Sequence, residues 1–256
     1  MTGASAGIGV ELASELARRG HGVTLAARRL DRLEQLASDL SSLHGVRAEC
    51  LAVDLADGDA RRALPGRLSE LGLEVDVLVN NAGFSTSGRI ASSDEERETA
   101  LVRTNVEAVV SLCSLFVPGM VERRRGAVLN VASTAAFQPI PGQGAYAASK
   151  SFVLSYTAAL RAETSSFGIS VTALCPGPVA TEFLEVAEIT HEAAGTVPKV
   201  MWETPESVAK AGIDALDRNR AVVIPGVTNR FAAIAAHHMP RRLLMPLMSS
   251  LSPNNK

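Results

Sequence analysis

Short apolar runs alternate along this 256-residue chain with stretches in which apolar residues recur at helical spacing. Such runs are typical of strands that are buried in a parallel sheet. They cover residues 22–27, 46–53, 75–79, 126–132, 169–175 and 221–224. The alternation predicts an α/β fold with a doubly wound parallel sheet. The length suits one domain, so we expect residues 1–229 to form it and residues 230–256 to be its apolar C-terminal extension.

Three glycines, Gly3, Gly7 and Gly9, precede the first helical stretch, which has Leu12 and Leu16 on one side. Glycine lets the backbone turn tightly and approach a pyrophosphate, and the N-terminus of a helix attracts negative charge. The loop therefore predicts a cradle for a dinucleotide. Glycine-rich loops that are merely turns are also common, so the loop alone is weak evidence.

Tyr146 and Lys150 are four residues apart in a helical stretch, so both side chains project from one face. A nearby ammonium favours the phenolate, and we expect Lys150 to lower the pKa of Tyr146 from about 10 towards neutrality. Ser133 follows the strand at 126–132, at the end of a parallel strand where ligands bind. These residues predict an acid/base site. The alternative is a half-buried tyrosine beside a solvated lysine.

These motifs together resemble the short-chain dehydrogenase/reductase family. The resemblance runs from Thr2 to about Gly226 and rests on five motifs in order. They are the Gly-x-x-x-Gly-x-Gly loop, the tetrapeptide Asn80-Asn81-Ala82-Gly83, Ser133, the Tyr146 and Lys150 pair, and the turn at Pro176-Gly177. The resemblance implies a Rossmann-like fold and an enzyme that transfers a hydride reversibly between a nicotinamide cofactor and a carbonyl or secondary alcohol.

In a family member of this kind, Tyr146 would donate a proton to the carbonyl oxygen and Ser133 would bind that oxygen. Lys150 would bind the nicotinamide ribose and lower the pKa of Tyr146. Asn105 would hold a water that links Lys150 to solvent. Asparagine is a poor residue inside a helix, which favours such a role, whereas an exposed Asn105 on a tolerant surface is the alternative.

The resemblance also implies a set of cofactor contacts. Asp54 would bond the adenine amino group, unless it only caps a helix, and the backbone near Val179 and the Thr181 hydroxyl would meet the nicotinamide carboxamide. The complete predicted set is Gly3, Ser5, Gly7, Ile8, Gly9, Arg28, Asp54, Leu55, Asn81, Ala82, Gly83, Tyr146, Lys150, Val179 and Thr181.

Arg28 favours NADP over NAD as that cofactor. An acidic residue at the end of the strand at 22–27 would bond the ribose 2′-hydroxyl of NAD, whereas an arginine accommodates a 2′-phosphate. This chain has Ala27 and then Arg28. The alternative is that Arg28 and Arg29 only begin a solvated helix.

The usual first strand of the fold is missing, because only Met1 precedes Thr2. Its loss would leave the neighbouring strands about 9 to 10 Å apart with unpaired backbone groups, so we expect such a sheet to be unstable. We therefore hypothesise that the natural product starts upstream and that Met1 replaces an apolar residue through a misread start codon.

Residues 182–203 stand where the family has a mobile lid over its substrate, and their apolar content favours an apolar substrate. The apolar tail at 230–251 can cover the pocket, join a subunit interface or lie on a membrane surface, and we favour the first two. The helix that contains Tyr146 and the long helix before it have apolar residues on more than one side, and the resemblance implies that such helices pack against a partner subunit in a homodimer or homotetramer.

Charge and composition exclude other classes. The net charge of −2 with interspersed signs does not favour nucleic acid, and neither the cysteines nor the histidines cluster as metal ligands. No signal peptide or apolar run of about 20 residues is evident, so we expect no integral membrane segment and a cytoplasmic location.

Two other functions remain as alternatives. The chain can be a non-catalytic NAD(P)-binding regulator or scaffold with the same fold. A sugar-nucleotide epimerase or dehydratase also uses a tyrosine and lysine pair, but it ordinarily needs a larger substrate domain than the residues after Thr181 can build.

Overall fold

The computed structural model describes residues 1–188, 195 and 197–251. Its parallel strands follow the predicted runs and are one to three residues shorter, except that the strand predicted at 75–79 extends to residue 80. They are β1 (Val23–Ala27), β2 (Ala48–Ala52), β3 (Val77–Asn80), β4 (Gly126–Val131), β5 (Ile169–Leu174) and β6 (Val222–Val223). The hydrogen bonds divide them into a two-stranded sheet, β1-β2, and a four-stranded sheet in the order β3-β4-β5-β6.

Helices cover both faces of the strands, as the predicted doubly wound α/β fold requires. They are α1 (Ile8–Arg18), α2 (Leu30–His44), α3 (Gly58–Glu70), α4 (Glu95–Val102), α5 (Ala108–Arg123), α6 (Gly144–Thr164), α7 (Phe183–Val186), α8 (Pro205–Asp217), α9 (Val227–His238) and α10 (Arg241–Leu251). Short 3₁₀ turns lie at Ile90–Ser92, Thr134–Phe137, Ser165–Phe167 and Lys199–Met201.

Each strand supplies side chains to both layers of the core because successive residues point to opposite faces. Leu78 and Val128 face the core formed with α3, α5 and α6, whereas Val79 and Leu129 face the core formed with α1, α2 and α8. All four side chains are buried. Burial on both faces explains why these strands are continuous apolar runs in the sequence.

Thr2 joins the two sheets at the end where the predicted site lies. Its backbone forms an isolated parallel bridge with Ala26 of β1, and its N–H donates to the carbonyl of Val79 in β3 at 3.0 Å. Its Oγ1 accepts from the backbone N–H groups of Asn81 at 3.0 Å and Ala82 at 3.1 Å. Thr2 therefore occupies this end of the gap that the missing strand was expected to leave.

A buried chain of side-chain hydrogen bonds fixes α6 against the larger sheet. Asn80 donates to Asn130 at 2.8 Å, and Asn130 donates to Thr157 of α6 at 3.0 Å. All three residues are buried. Because buried polar groups are costly when they lose their partners, this chain sets one position for the helix that carries Tyr146 and Lys150.

Residues 95–123 form one continuous helix, in which a π-helical turn at Arg103–Glu107 joins α4 to α5. Its most apolar 18 residues have a mean hydropathy of 1.5, so by length and composition it is long and apolar enough to cross a membrane. The sequence predicts a long apolar-faced helix from about Asp94 but no membrane-spanning candidate within it. Leu112, Val117 and Met120 of the same helix are buried in the core with the strands, so these two criteria do not distinguish it from a core helix.

We predict that Thr2→Val lowers the free energy of unfolding by about 1 to 3 kcal/mol, because it leaves the N–H groups of Asn81 and Ala82 without their acceptor. Urea denaturation measures this change. Thr2→Ser is the matched control, since it keeps the hydroxyl and should lose much less. Equal losses for both variants would contradict the role of the hydroxyl.

Candidate active site

Helix α6 begins at Gly144 because the residues before it cannot be helical. Pro139 and Pro141 disfavour helix at the residues that precede them, and Gly142 has a φ of 85°, a conformation that favours glycine. The helix then brings Tyr146 and Lys150 to one face, as predicted, and both side chains are buried. Lys150 Nζ donates to the carbonyl of Val131 at 2.9 Å and lies 5.8 Å from the centre of the Tyr146 ring.

Ser133 lies beyond the carboxyl end of β4, where the sequence predicts it. Its Oγ accepts from the N–H of Ala135 at 3.1 Å and donates to the carbonyl of Pro176 at 3.5 Å. Its side chain is also close enough to Tyr146 to lower the pKa of that phenol in part. The structure therefore brings the three predicted catalytic side chains together.

The predicted lowering of the Tyr146 pKa is wrong for this arrangement. Burial raises the pKa of Tyr146 to about 12, and the hydrogen bond with Ser133 opposes this shift only in part. Burial also lowers the pKa of Lys150 to about 8, because an ammonium removed from water is destabilised. The sequence shows that the two groups are neighbours but not that both are removed from solvent.

Asn105 lies in the π-helical turn and is buried, which excludes the exposed-surface alternative. Its Oδ1 accepts from the N–H of Phe84 at 3.1 Å, and its Nδ2 donates to the Phe84 carbonyl at 2.9 Å and to Ser149 Oγ at 3.1 Å. A Cβ on Gly83 would lie 2.9 Å from Asn105 Oδ1 and 3.4 Å from Lys150 Nζ. Glycine at position 83 therefore lets the segment after β3 approach both residues.

A cleft of about 890 Å³ opens at the carboxyl ends of the strands and contains the predicted site. Every predicted cofactor residue and the three side chains described above line it, while Asn105 lies behind its wall. These lining residues are Gly3, Ser5, Gly7, Ile8, Gly9, Arg28, Asp54, Leu55, Asn81, Ala82, Gly83, Ser133, Tyr146, Lys150, Val179 and Thr181.

The glycine-rich loop fits a phosphate-bearing ligand in this cleft. Gly3 and Gly7 have φ values of 64° and 55°, and a Cβ on Gly9 would lie 2.0 Å from the carbonyl oxygen of Gly3. Helix α1 has no side-chain cap at its N-terminus. In its first turn the N–H groups of Gly9 and Val10 donate to the carbonyls of Ala6 and Gly7, each at 3.2 Å, so it is the positive end of the helix dipole that favours an anion in the cleft.

A cluster of charged side chains forms one edge of the cleft. Arg29 donates to Ser5 Oγ at 3.1 Å and to Glu182 at 2.9 Å, and Arg32 pairs with the same carboxylate at 2.5 Å. The hydrogen bonds with Arg32 and Arg29 lower the pKa of Glu182. Arg28 is exposed on the cleft wall beside them. Sequence reasoning missed Glu182 as a site residue, because its partners are 150 and 153 residues away.

The other half of the cleft is mostly apolar. Phe183 of α7 lies with its ring centre 5.6 Å from that of Tyr146. The C-terminal helices close this part, so the tail covers the pocket as one of the predicted alternatives states. The apolar side chains include Leu184, Val186, Val197, Met201, Trp202, Ala235, Met239, Leu244 and Met248. Residues 189–194 and 196 of the predicted lid and residues 252–256 of the tail lie outside the described residues.

Comparisons with known proteins agree with this geometry. The family model described as short chain dehydrogenase matches residues 1–191. A very-long-chain 3-oxoacyl-CoA reductase from Anas platyrhynchos is 33% identical over 219 residues, which are 83% of this chain. The aligned chain spans 66% of that relative's length.

Two solved structures are similar over nearly their whole length. A short-chain dehydrogenase from Sphingobium yanoikuyae in complex with NADPH is 34% identical, with a TM-score of 0.82 over 96% of this chain and 94% of the other. The bulky-bulky ketone specific alcohol dehydrogenase from Comamonas testosteroni is 29% identical, with a TM-score of 0.77 over 96% and 92%. The chain therefore belongs to the short-chain dehydrogenase/reductase family, whose members are NAD(P)-dependent oxidoreductases.

Proposed function

We propose that this protein transfers a hydride reversibly between NADP and the carbonyl or secondary alcohol of an apolar small molecule. The observation that carries the proposal is the burial of Ser133, Tyr146 and Lys150 side by side in the cleft that every predicted cofactor residue lines. The glycine-rich loop and the N-terminus of α1, which has no side-chain cap, lie in the same cleft and fit the phosphates of a dinucleotide.

In the reduction, Tyr146 donates its proton to the carbonyl oxygen of the substrate, and Ser133 holds that oxygen by a hydrogen bond. When bound, the nicotinamide supplies the hydride, which no side chain can. Lys150 would hold the ribose of the bound cofactor, and Asn105 would help to resupply the proton. The protein thus provides orientation and electrostatic stabilisation around the reacting carbon.

The raised pKa of Tyr146 favours this direction at neutral pH. A phenol with a pKa of about 12 is protonated throughout the physiological range, so the proton donor for reduction is always loaded. Alcohol oxidation requires the phenolate as base. We therefore propose that oxidation accelerates as the pH rises, whereas reduction does not depend on ionisation of this tyrosine below about pH 10.

The preference for NADP rests on Arg28 and its surroundings. Arg28 is exposed at the edge of the cleft, where an arginine can form charge-assisted hydrogen bonds to a 2′-phosphate. Arg29 and Arg32 add positive charge there, although Glu182 pairs with both. The NADPH in the similar Sphingobium structure also supports this preference.

The substrate is proposed to be a bulky apolar ketone or alcohol. Side chains of α7 and the C-terminal helices make the wall opposite the cofactor residues apolar, with Ser87, Thr104, Gln138 and Gln143 as polar exceptions. The names of two similar proteins, a reductase of very-long-chain 3-oxoacyl-CoA and a dehydrogenase of bulky ketones, support the same chemistry. Steroid, fatty-acyl, sugar and small aliphatic ketones form the panel that tests it.

A homodimer or homotetramer and a cytoplasmic location are proposed with this function. Val102 of α4 and Phe152 of α6 are 44% and 40% exposed, and the Phe152 ring stacks on Tyr156 with a centre distance of 5.8 Å. Large apolar side chains exposed on neighbouring helices are typical of an interface between subunits.

We predict that Tyr146→Phe lowers the turnover of NADPH with an accepted ketone at least about 100-fold, because the proton donor is lost. NADPH binding, measured by its fluorescence, should persist. Tyr156→Phe on the same helix is the matched control and should retain turnover within about threefold. A wild-type protein that binds NADPH but reduces no member of the panel would favour the regulator instead.

We predict that neither of the two tyrosines ionises below about pH 10.5, since burial raises the pKa of Tyr146 and of Tyr156 to about 12. Tyrosinate absorbance near 295 nm measures this ionisation. The remaining tyrosine of Tyr156→Phe isolates the signal of Tyr146. A phenolate signal that appears near neutral pH and is absent from Tyr146→Phe would contradict this prediction. It would show instead that Lys150 lowers the pKa of Tyr146, as the sequence predicts.

We predict that Arg28→Ala raises the KM for NADPH about tenfold or more, because a charge-assisted contact with the 2′-phosphate is lost. The KM for NADH should change by less than about twofold, and this second coenzyme serves as the internal control. Equal changes for both coenzymes would show that Arg28 does not select NADP.

A further inference from the structure

Helices α9 and α10 have two faces with different surroundings. Ala235 and Met239 from the α9 segment, with Leu244 and Met248 of α10, line the cleft. Leu244 is buried there. These contacts account for one side of each helix only.

The opposite side of α9 presents large apolar side chains to solvent. Val227, Phe231 and Ile234 are 74%, 70% and 44% exposed. Their spacing of four and three residues places them on one helix face, with His238 on the same face one turn further. The residues of α9 that are buried, Asn229, Ala233 and Ala236, point the other way.

Helix α10 adds to this surface. Leu243 is 59% exposed and lies on a different side of the helix from Leu244 and Met248, while Arg241 and Arg242 are exposed at its start. Val227, Phe231, Ile234 and Leu243 are named here the tail surface. Scattered apolar residues are common on soluble proteins, but these four lie within 17 consecutive residues and on sides of α9 and α10 other than those that line the cleft.

The charged residues of the segment that carries the tail surface have a single sign. Residues 227–256 contain Arg230, Arg241, Arg242 and Lys256 and no aspartate or glutamate, although the whole chain has a net charge of −2. From outside this segment, the acidic Glu203 lies beside Gly226 at the start of α9. An exposed apolar face flanked by arginines is complementary to a surface that is apolar below and anionic above.

We propose that the tail surface docks on a membrane that contains anionic phospholipids, with Phe231 and Leu243 entering the level of the headgroups. A second copy of this chain fits less well. A two-fold interface would use the same surface of both copies and enclose their arginines, for which residues 227–256 supply no acidic partner. Phosphate headgroups instead pair with these arginines.

Docking would place the pocket next to the lipid, because the same two helices form the wall of the cleft. Only this consequence rests on the proposed function: an apolar ketone dissolved in the membrane would enter from the side of α9 and α10. The docking itself requires neither cofactor nor turnover.

Flotation of the full chain with vesicles tests the proposal. We expect the protein to float with phosphatidylcholine vesicles that contain phosphatidylglycerol, and to float much less with phosphatidylcholine alone or at high salt. Phe231→Ser should weaken the binding about tenfold, as the loss of one partly buried aromatic side chain predicts. Arg241→Glu combined with Arg242→Glu should abolish the preference for anionic vesicles.

Leu43→Ser is the matched control, since Leu43 is 75% exposed near the end of α2 and outside the tail surface. Its flotation should equal that of the unmodified chain, and far-ultraviolet circular dichroism reports that each variant is folded. Equal losses for Leu43→Ser and Phe231→Ser would overturn the proposal, as would no flotation of the unmodified chain. Self-association lost in Phe231→Ser without any vesicle binding would assign the tail surface to a second copy.

Discussion

The hydrogen bond from Lys150 to the carbonyl of Val131 joins the helix that carries the reacting groups to the end of the strand that precedes Ser133. An ammonium in a buried place must have a partner, because the cost of losing water is otherwise uncompensated. The bond therefore fixes the position of α6 relative to the end of β4. Tyr146 reaches Ser133 as a consequence, and the asparagine chain from Asn80 to Thr157 fixes the same helix about two turns further along.

Much of this arrangement could be predicted from the sequence because it depends on local periodicity. The strand runs were located to within a few residues, and the i,i+4 spacing correctly placed Tyr146 and Lys150 on one face. Helix α3 was not predicted, since Pro65 inside it interrupts the usual helical pattern. The π-helical turn has no sequence signal, although Asn105 was singled out as unusual within a helix.

The features that sequence missed depend on burial and on distant parts of the chain. The pKa of Tyr146 was assigned the wrong direction, because the spacing shows its lysine neighbour but not the loss of water around both groups. The contact of Glu182 with Arg29 joins residues that only the fold brings together. The apolar wall of the cleft could not be predicted for the same reason: α7 and the C-terminal helices come together there only in the fold, and neither carries a sequence motif.

The π-helical turn at Arg103–Glu107 has a consequence for how this stretch can change during evolution. Such a turn holds one residue more than an α-helical turn, so deleting one residue would let the helix close regularly. The turn absorbs this extra residue, so the helical segments on either side would keep nearly the same rotation about the axis, and Leu101 and Leu112 would both stay in the core. The backbone at Asn105 would change, and its side chain would lose the two hydrogen bonds to Phe84. The extra residue therefore serves the position of Asn105 rather than the packing of the helix.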